Sequence, residues 1–321
     1  MLKDRKCEHS TRRLATSSAV IGNDLVNPSI LPRTRPISAR AGIGLRPLHH
    51  SGVIEQHPRV PWFEVHAENF VSHALLQREL DAIAADYPLS LHCVGLSLGS
   101  VALPERSHLQ ALRALLTRYQ PRLVSDHLAW NAIKGVHLPD LLPLPYSEEA
   151  LQVVVRNVHR VHEVLQRPIL LENPSKYVAL PDSTLSEAEF LAEVVARTGC
   201  AVLLDINNLH VSAHNQNLDP EETLSDFLSV VPTDSIHEVH LAGHSILVLR
   251  DNHLFLDDHG SRVCQGVWDL YAAALRVLGP VPTLVEWDTR IPTFTVLEEE
   301  AARADRIMLK TVGRFGNVVT A

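Results

Sequence analysis

Residues 148–173 read EEALQVVVRNVHRVHEVLQRPILLEN, and residues 187–207 read EAEFLAEVVARTGCAVLLDIN. Each stretch joins a helix pattern to a short apolar run that ends in polar groups. In the first, Glu148–Leu165 opens on two acids, which suit the positive end of a helix. It runs into Pro168–Asn173, apolar until Glu172 and Asn173. In the second, Glu187–Thr198 stops at Gly199 and leads into Ala201–Asn207, which ends in Asp205 and Asn207. The same unit recurs on both sides. Strand-like runs fall at Ala41–Leu45, Trp62–Ala67, Leu89–Val94 and Leu123–Leu128 before it, and at Ile236–Ala242 and Pro282–Asp288 after it. Further helix patterns occupy Ala74–Tyr87, His108–Tyr119 and Trp268–Leu278. Eight strand-like runs alternating with helices predict an α/β fold, a (β/α)8 TIM barrel over 41–321. A doubly wound open sheet is the alternative, but Gly42-Ile43-Gly44 lacks the third glycine of a phosphate-binding turn.

The ends of the runs indicate chemistry. Residues two apart in a strand share a face. Glu64/His66/Glu68, Ser125/His127, Leu203/Asp205/Asn207, Glu238/His240 and Leu284/Glu286/Asp288 are therefore expected to line faces together. One buried His or Asp is commonly a satisfied core group; repetition over seven strands points to a shared site at the C-terminal mouth. Glu172, Asp205 and Glu286 crowded there would each cost several kcal/mol if unpaired, and the strand ends offer almost no Lys or Arg. Cations are the expected counter-charge. A set of carboxylates and imidazoles without thiolate suits iron, manganese or zinc and disfavours copper(I) or an iron–sulfur cluster. The turn Asp257-Asp258-His259-Gly260 adds Asp257 and His259 as a further donor pair. His49, His50 and His214, read as loop residues, are weaker candidates.

Composition narrows the classes. A chain of 321 residues, 45% hydrophobic and 21% charged, can bury a large core and is neither disordered nor collagen-like. No apolar run reaches the ~18–20 residues that span a bilayer. The net charge of −8 argues against a nucleic-acid surface. Residues 1–40 carry eight Lys/Arg against three acids, a net +5 that leaves −13 on the rest. This segment lacks periodicity and contains Pro28, Pro32 and Pro36; it is expected to be a disordered extension, with a basic arm or targeting presequence as the functional reading. Cys7, Cys93, Cys200 and Cys264 lie far apart with no CxxC pair, so a cytoplasmic protein without a disulfide framework is expected.

Ten segments together resemble one family: GIGLRPLHH (42–50), WFEVHAENF (62–70), LSLHCVGLSLGS (89–100), VSDHLAW (124–130), DLLPLPY (140–146), LLENPSKYV (170–178), LLDINNLHVSAHN (203–215), EVHLAGH (238–244), DDHG (257–260) and VEWDTRIP (285–292). They resemble the multinuclear non-heme iron-dependent oxidative enzymes, long catalogued as a domain of unknown function, over about residues 41–300. The resemblance implies a (β/α)8 barrel holding two or three irons in mixed Fe(II)/Fe(III) states, with O2 as co-substrate. Carried over by motif, the ligands are His92, His127, Glu172, Asp205, His240, Asp257, His259 and Glu286. Glu172 would bridge one iron, shared with His92 and His127, and another shared with Asp205, His240 and Glu286; Asp257 and His259 would serve a third position. Glu172, Asp205 and Glu286 are then the catalytic carboxylates. Glu68, His66, Asn207, His214 and Asp288 are left as supporting or substrate-contact residues.

Characterised members oxidise a cysteine of a ribosomally made peptide and work with a small partner protein that grips the peptide's leader. One branch makes an oxazolone–thioamide pair in methanobactin biosynthesis; another excises the cysteine β-carbon on the way to 3-thiaglutamate. GIGLRPLHH and DLLPLPY bring this chain nearer the second. Two rivals stand beside this reading: a redox-inert divalent-metal isomerase or phosphodiesterase on the same barrel, and a non-catalytic metal-binding scaffold.

Overall fold

The computed structural model describes residues 37–133, 136–250 and 252–316. The expectation for the N-terminal extension falls, but for its last four residues, outside them. Twelve strands follow in chain order. They are β1 (Ala41–Gly44), β2 (Phe63–His66), β3 (Leu89–His92), β4 (Leu123–His127), β5 (Trp130–Ile133) and β6 (Val136–Leu142), then β7 (Leu170–Glu172), β8 (Ala201–Asp205), β9 (Ile236–Leu241), β10 (Ser245–Leu249), β11 (Asn252–Leu256) and β12 (Thr283–Val285). Eight of them close a parallel barrel in the order β1-β2-β3-β4-β7-β8-β9-β12, and these are the eight runs expected from the sequence. The other four form two antiparallel hairpins, β5–β6 and β10–β11, inserted after β4 and β9 and therefore on the C-terminal side of the barrel.

Helix ends are built from local signals. Ser147 accepts from the Ala150 amide to start Glu148–Leu165, and Ser186 with Glu189 forms a capping box ahead of Glu187–Thr198. Gly199 closes the latter at φ 69°, a left-handed position that suits glycine. Apolar strand residues such as Val65, Leu91, Val124, Leu171, Val202 and Val239 are fully buried in one continuous core with the helices. No helix of the described residues is long and apolar enough to cross a membrane.

Three strand readings ran too long. Glu68 begins the short helix Glu68–Val71, and Glu286 and Asp288 lie beyond β12. Asn207 and His214 belong to a helix, Ile206–Asn215, that starts as soon as β8 ends. Residues 206–213 of that helix are all buried, so it has no polar stripe from which a helical period could be read.

Candidate metal centre

Parallel registry sets the polar strand ends side by side. His66 lies opposite His92, His127 opposite Glu172, and Asp205 opposite His240. Glu172, Asp205 and His240 are fully inaccessible, and His92 is nearly so.

His92, His127 and Glu172 form the first group. Both Nε2 atoms stand 3.4 Å from the same carboxylate oxygen, Glu172 Oε2. Donor atoms about 3.4 Å apart are what one four-coordinate ion with bonds near 2.1 Å would span. That oxygen is buried and accepts no hydrogen bond among the described residues, whereas Oε1 receives the Asn208 side-chain amide at 3.2 Å. The His92 ring is fixed from behind by Ser125 Oγ, 2.7 Å from Nδ1. Such an outer contact orients an imidazole toward a ligand.

A second group gathers around Glu286. Its Oε2 lies 3.1 Å from His240 Nδ1 and 3.4 Å from His259 Nδ1, and its Oε1 lies 3.4 Å from His66 Nε2. His259 Nε2 meets Asp257 Oδ1 at 2.6 Å, and Asp288 joins His259, His66 and Arg46. Inside the barrel, Glu64 Oε1 stands 3.3 Å from His240 Nε2 without forming a hydrogen bond, and among the described residues neither oxygen of buried Glu238 has one. Asp205 has two tasks. Its Oδ1 caps the Ile206–Asn215 helix through the Asn208 backbone amide at 2.6 Å, while buried Oδ2 has no partner among the described residues. His259 sits at φ 40°, a left-handed conformation that costs a non-glycine residue ~1–3 kcal/mol. Its carbonyl accepts from the Asp288 amide at 2.8 Å, and Gly260 lets the turn approach Thr289, whose Oγ1 a side chain there would run into.

The charge balance follows from this packing. Burial, with His127 adding repulsion, pushes His92 well down; burial pushes His127 down to about 4. Burial drives Glu172 up and raises Asp205 to about 7. His240 goes the other way: burial opposes its proton, but Glu64 and the hydrogen bond to Glu286 hold it. Glu286 is held low, against burial, by the imidazoles of His240, His259 and His66 around it. One expectation is corrected here. The mouth does contain a cation: buried Arg46, just after β1, pairs with Asp288 and reaches Glu286 Oε1 at 3.3 Å. A single guanidinium does not balance the acids gathered there, and the orphaned oxygens of Glu172 and Asp205 fit a bound cation of hard or borderline character.

A pH dependence follows. Without a cation, a carboxyl raised to about 7 favours the fold while it keeps its proton. That stabilisation is lost as pH rises from about 4 through 7. Cation binding must displace that proton together with the one burial keeps on Glu172, so affinity should rise at least about tenfold per pH unit between roughly pH 5 and 7. Chelator competition at several pH values reads this; constant affinity across that range would contradict it.

Not every expected residue reaches the mouth groups. Glu68 is spent on the loop after β3, accepting from the Val94 and Gly95 amides and pairing with His108 at 3.1 Å. His50 pairs with Glu79, and His49 packs on Phe294. Asn207 donates to Asp257 Oδ1 at 2.9 Å. His214 lies apart, in a cluster with His210, His244 and Phe255 that the sequence reading did not single out.

A closed barrel with buried oxygen and nitrogen atoms at the C-terminal ends of its strands defines the class, a (β/α)8 protein whose mouth carries groups that could hold a metal ion. Within that class the chain belongs to the RiPP precursor modification enzyme family MbnB/TglH/ChrH, whose profile matches residues 40–309. It is 45% identical over 268 residues to a UPF0276 protein of Vibrio parahaemolyticus, covering 83% of this chain and 92% of the relative. A UPF0276 protein of Acaryochloris marina is 44% identical, with 83% and 93% covered. Among solved structures, the 3-keto-D-glucoside 4-epimerase of E. coli superposes with TM-score 0.54 at 13% identity, covering 83% of this chain and 98% of that one. Endonuclease IV of Thermus thermophilus gives 0.52 at 15% identity, with 86% and 99% covered. These two likenesses concern the fold alone.

Proposed function

We propose that the protein is an O2-dependent iron enzyme that oxidatively modifies a cysteine of a ribosomally synthesised peptide, acting with a leader-binding partner protein. Membership of a family that modifies such precursors supports the substrate class. The observation that carries the metal reading is the placement of two imidazoles at 3.4 Å from one unbonded, buried carboxylate oxygen of Glu172.

The proposed holders of two or three irons are His92, His127, Glu172, Asp205, His240, Asp257, His259 and Glu286. When bound, iron supplies Lewis acidity toward a thiolate and electrons for reducing O2. The remaining work falls to the protein. His92 and His127 are neutral, so their lone pairs are available at the donor atoms. Asp205 and Glu172 give up protons on loading. His66, about one-fifth exposed at the rim with Nε2 facing Glu286, Asp288 and Arg46, is placed to contact an entering thiol. Arg46 orients Asp288 and Glu286, and together with His259 it keeps Asp288 ionised. The hairpins β5–β6 and β10–β11 stand on the mouth side, where the peptide would enter.

β-Carbon excision is favoured over oxazolone–thioamide formation because the GIGLRPLHH segment, which supplies Arg46 to this mouth, belongs to that branch's pattern. The test is co-expression with a cysteine-bearing precursor and its partner under aerobic, iron-replete conditions, followed by intact-peptide mass spectrometry. A mass loss equivalent to one excised carbon is expected. A multi-electron oxidation without carbon loss would move the assignment to the other branch, and an unchanged mass would overturn the reading.

A further inference from the structure

Behind the mouth lies a group of donors unlike the rest. His210, His244 and Cys264 each place a ligand-type atom within 4.8 Å of the others. They come from three separate segments: the Ile206–Asn215 helix, the loop after β9, and the residue that precedes the Gln265–Leu278 helix. His214 Nε2 stands 3.2 Å from His210 Nε2. That separation is close to the ~3.3 Å between neighbouring nitrogens on one tetrahedral ion.

Each donor is prepared in a specific way. His210 is 7% exposed, and its Nε2, the nitrogen that faces His214, lies on the side of Gly266. A side chain at position 266 would meet His210 Nε2 at 2.7 Å, so Gly266 leaves the imidazole its space. His244 Nδ1 faces Asn207 Oδ1 at 2.9 Å, and the Asn207 amide donates to Asp257, which fixes the carboxamide's orientation. His244 therefore carries its proton on Nδ1 and turns an unprotonated Nε2 outward, the arrangement common to metal-bound histidines. His214 is held by Phe255, stacked at 4.3 Å and 4°. No carboxylate belongs to the group. A thiol among imidazoles is a softer set than the carboxylate-rich mouth and selects differently among cations.

We propose that His210, His244 and Cys264, with His214 as fourth donor, form a second metal site that takes a borderline divalent cation, zinc in preference to iron. Rotations of the side chains close the present spread to the edges of a tetrahedron, and binding releases the Cys264 thiol proton to solvent while the imidazoles keep their charge state. Through His244, Asn207 and Asp257 the site is wired by hydrogen bonds to the turn that carries His259. Its occupancy therefore stiffens that turn.

Cobalt(II) titration of the full-length, chelator-treated protein tests this directly, because the mouth set contains no thiolate. A thiolate-to-cobalt charge-transfer band in the near ultraviolet should appear, bleach on adding Zn(II), and vanish in Cys264→Ser. It should persist in Glu172→Gln, so its behaviour is separable from that of the mouth. In the unaltered protein, Zn(II) should slow iodoacetamide labelling of Cys264 at least about tenfold, read by peptide mapping; this measurement needs no variant to fold. Absence of the band at saturating cobalt, its survival in Cys264→Ser, or labelling indifferent to zinc would each overturn the site.

Discussion

Glu172→Gln is expected to lose the cation held with His92 and His127 and to lower turnover at least about a thousandfold, ~4 kcal/mol of transition-state stabilisation. The variant is nearly isosteric, and the Asn208 amide can still be accepted by the new carbonyl oxygen. What disappears is the one anionic oxygen that two imidazoles face at 3.4 Å. The effect on the fold should have the opposite sign. Glu172 is buried beside Asp205 and Glu286, and burial already drives its carboxyl toward the protonated form. A neutral amide removes that repulsion, so the cation-free variant should melt no lower than the cation-free parent. The cation-loaded parent should exceed both, since a ligand that binds only the folded state stabilises it. Elemental analysis and thermal denaturation of the two proteins, each with and without chelator, check this. Full metal content with full turnover in the variant would remove Glu172 from the centre.

Much of the barrel could be read from the chain because its strands have apolar starts and the helices Glu148–Leu165 and Glu187–Thr198 each keep a separate polar face. All eight runs became barrel strands, and Glu148–Leu165 and Glu187–Thr198 were delimited to the residue. The misses have physical causes. The Ile206–Asn215 helix is buried all round, so its sequence reads as more strand followed by loop, although Asp205 three residues before Asn208 is an N-cap spacing that marks the start. The hairpins β5–β6 and β10–β11 pair locally and expose apolar residues such as Ile246 and Val248, so they lack a clean alternation. Arg46 was overlooked because it follows its strand by two residues, where only the closed barrel brings it to Asp288.

The mouth itself was legible because its donors repeat at strand ends, a pattern that topology converts into proximity. Glu68 fitted that pattern and went elsewhere, since a helix starts at that residue and the amides of Val94 and Gly95 claim its carboxylate. The ring orientation of His259 depends on a left-handed backbone held by residues 288 and 289, which no local pattern announces. The His210–His244–Cys264 group is tertiary in origin. Its members are separated by 34 and 20 positions and share no periodicity.

The second large effect concerns the identity of the cation. An isomerase or phosphodiesterase on this barrel would work with zinc or magnesium, because it needs only charge and Lewis acidity. Oxidation of a cysteine with O2 needs a metal that changes oxidation state. The mouth donors, mostly oxygen with imidazole, accept iron, manganese or zinc alike, so loading alone does not separate the two. Turnover does. The most direct measurement is O2 consumption by chelator-treated protein reloaded with iron or with zinc, in the presence of the proposed partner and a cysteine-bearing precursor peptide. Iron-loaded protein should consume O2 in step with peptide modification, and zinc-loaded protein should fall to background, a difference of at least about a thousandfold. Equal peptide conversion by zinc-loaded protein without O2 uptake would contradict the oxidative assignment and favour redox-inert chemistry at the same mouth.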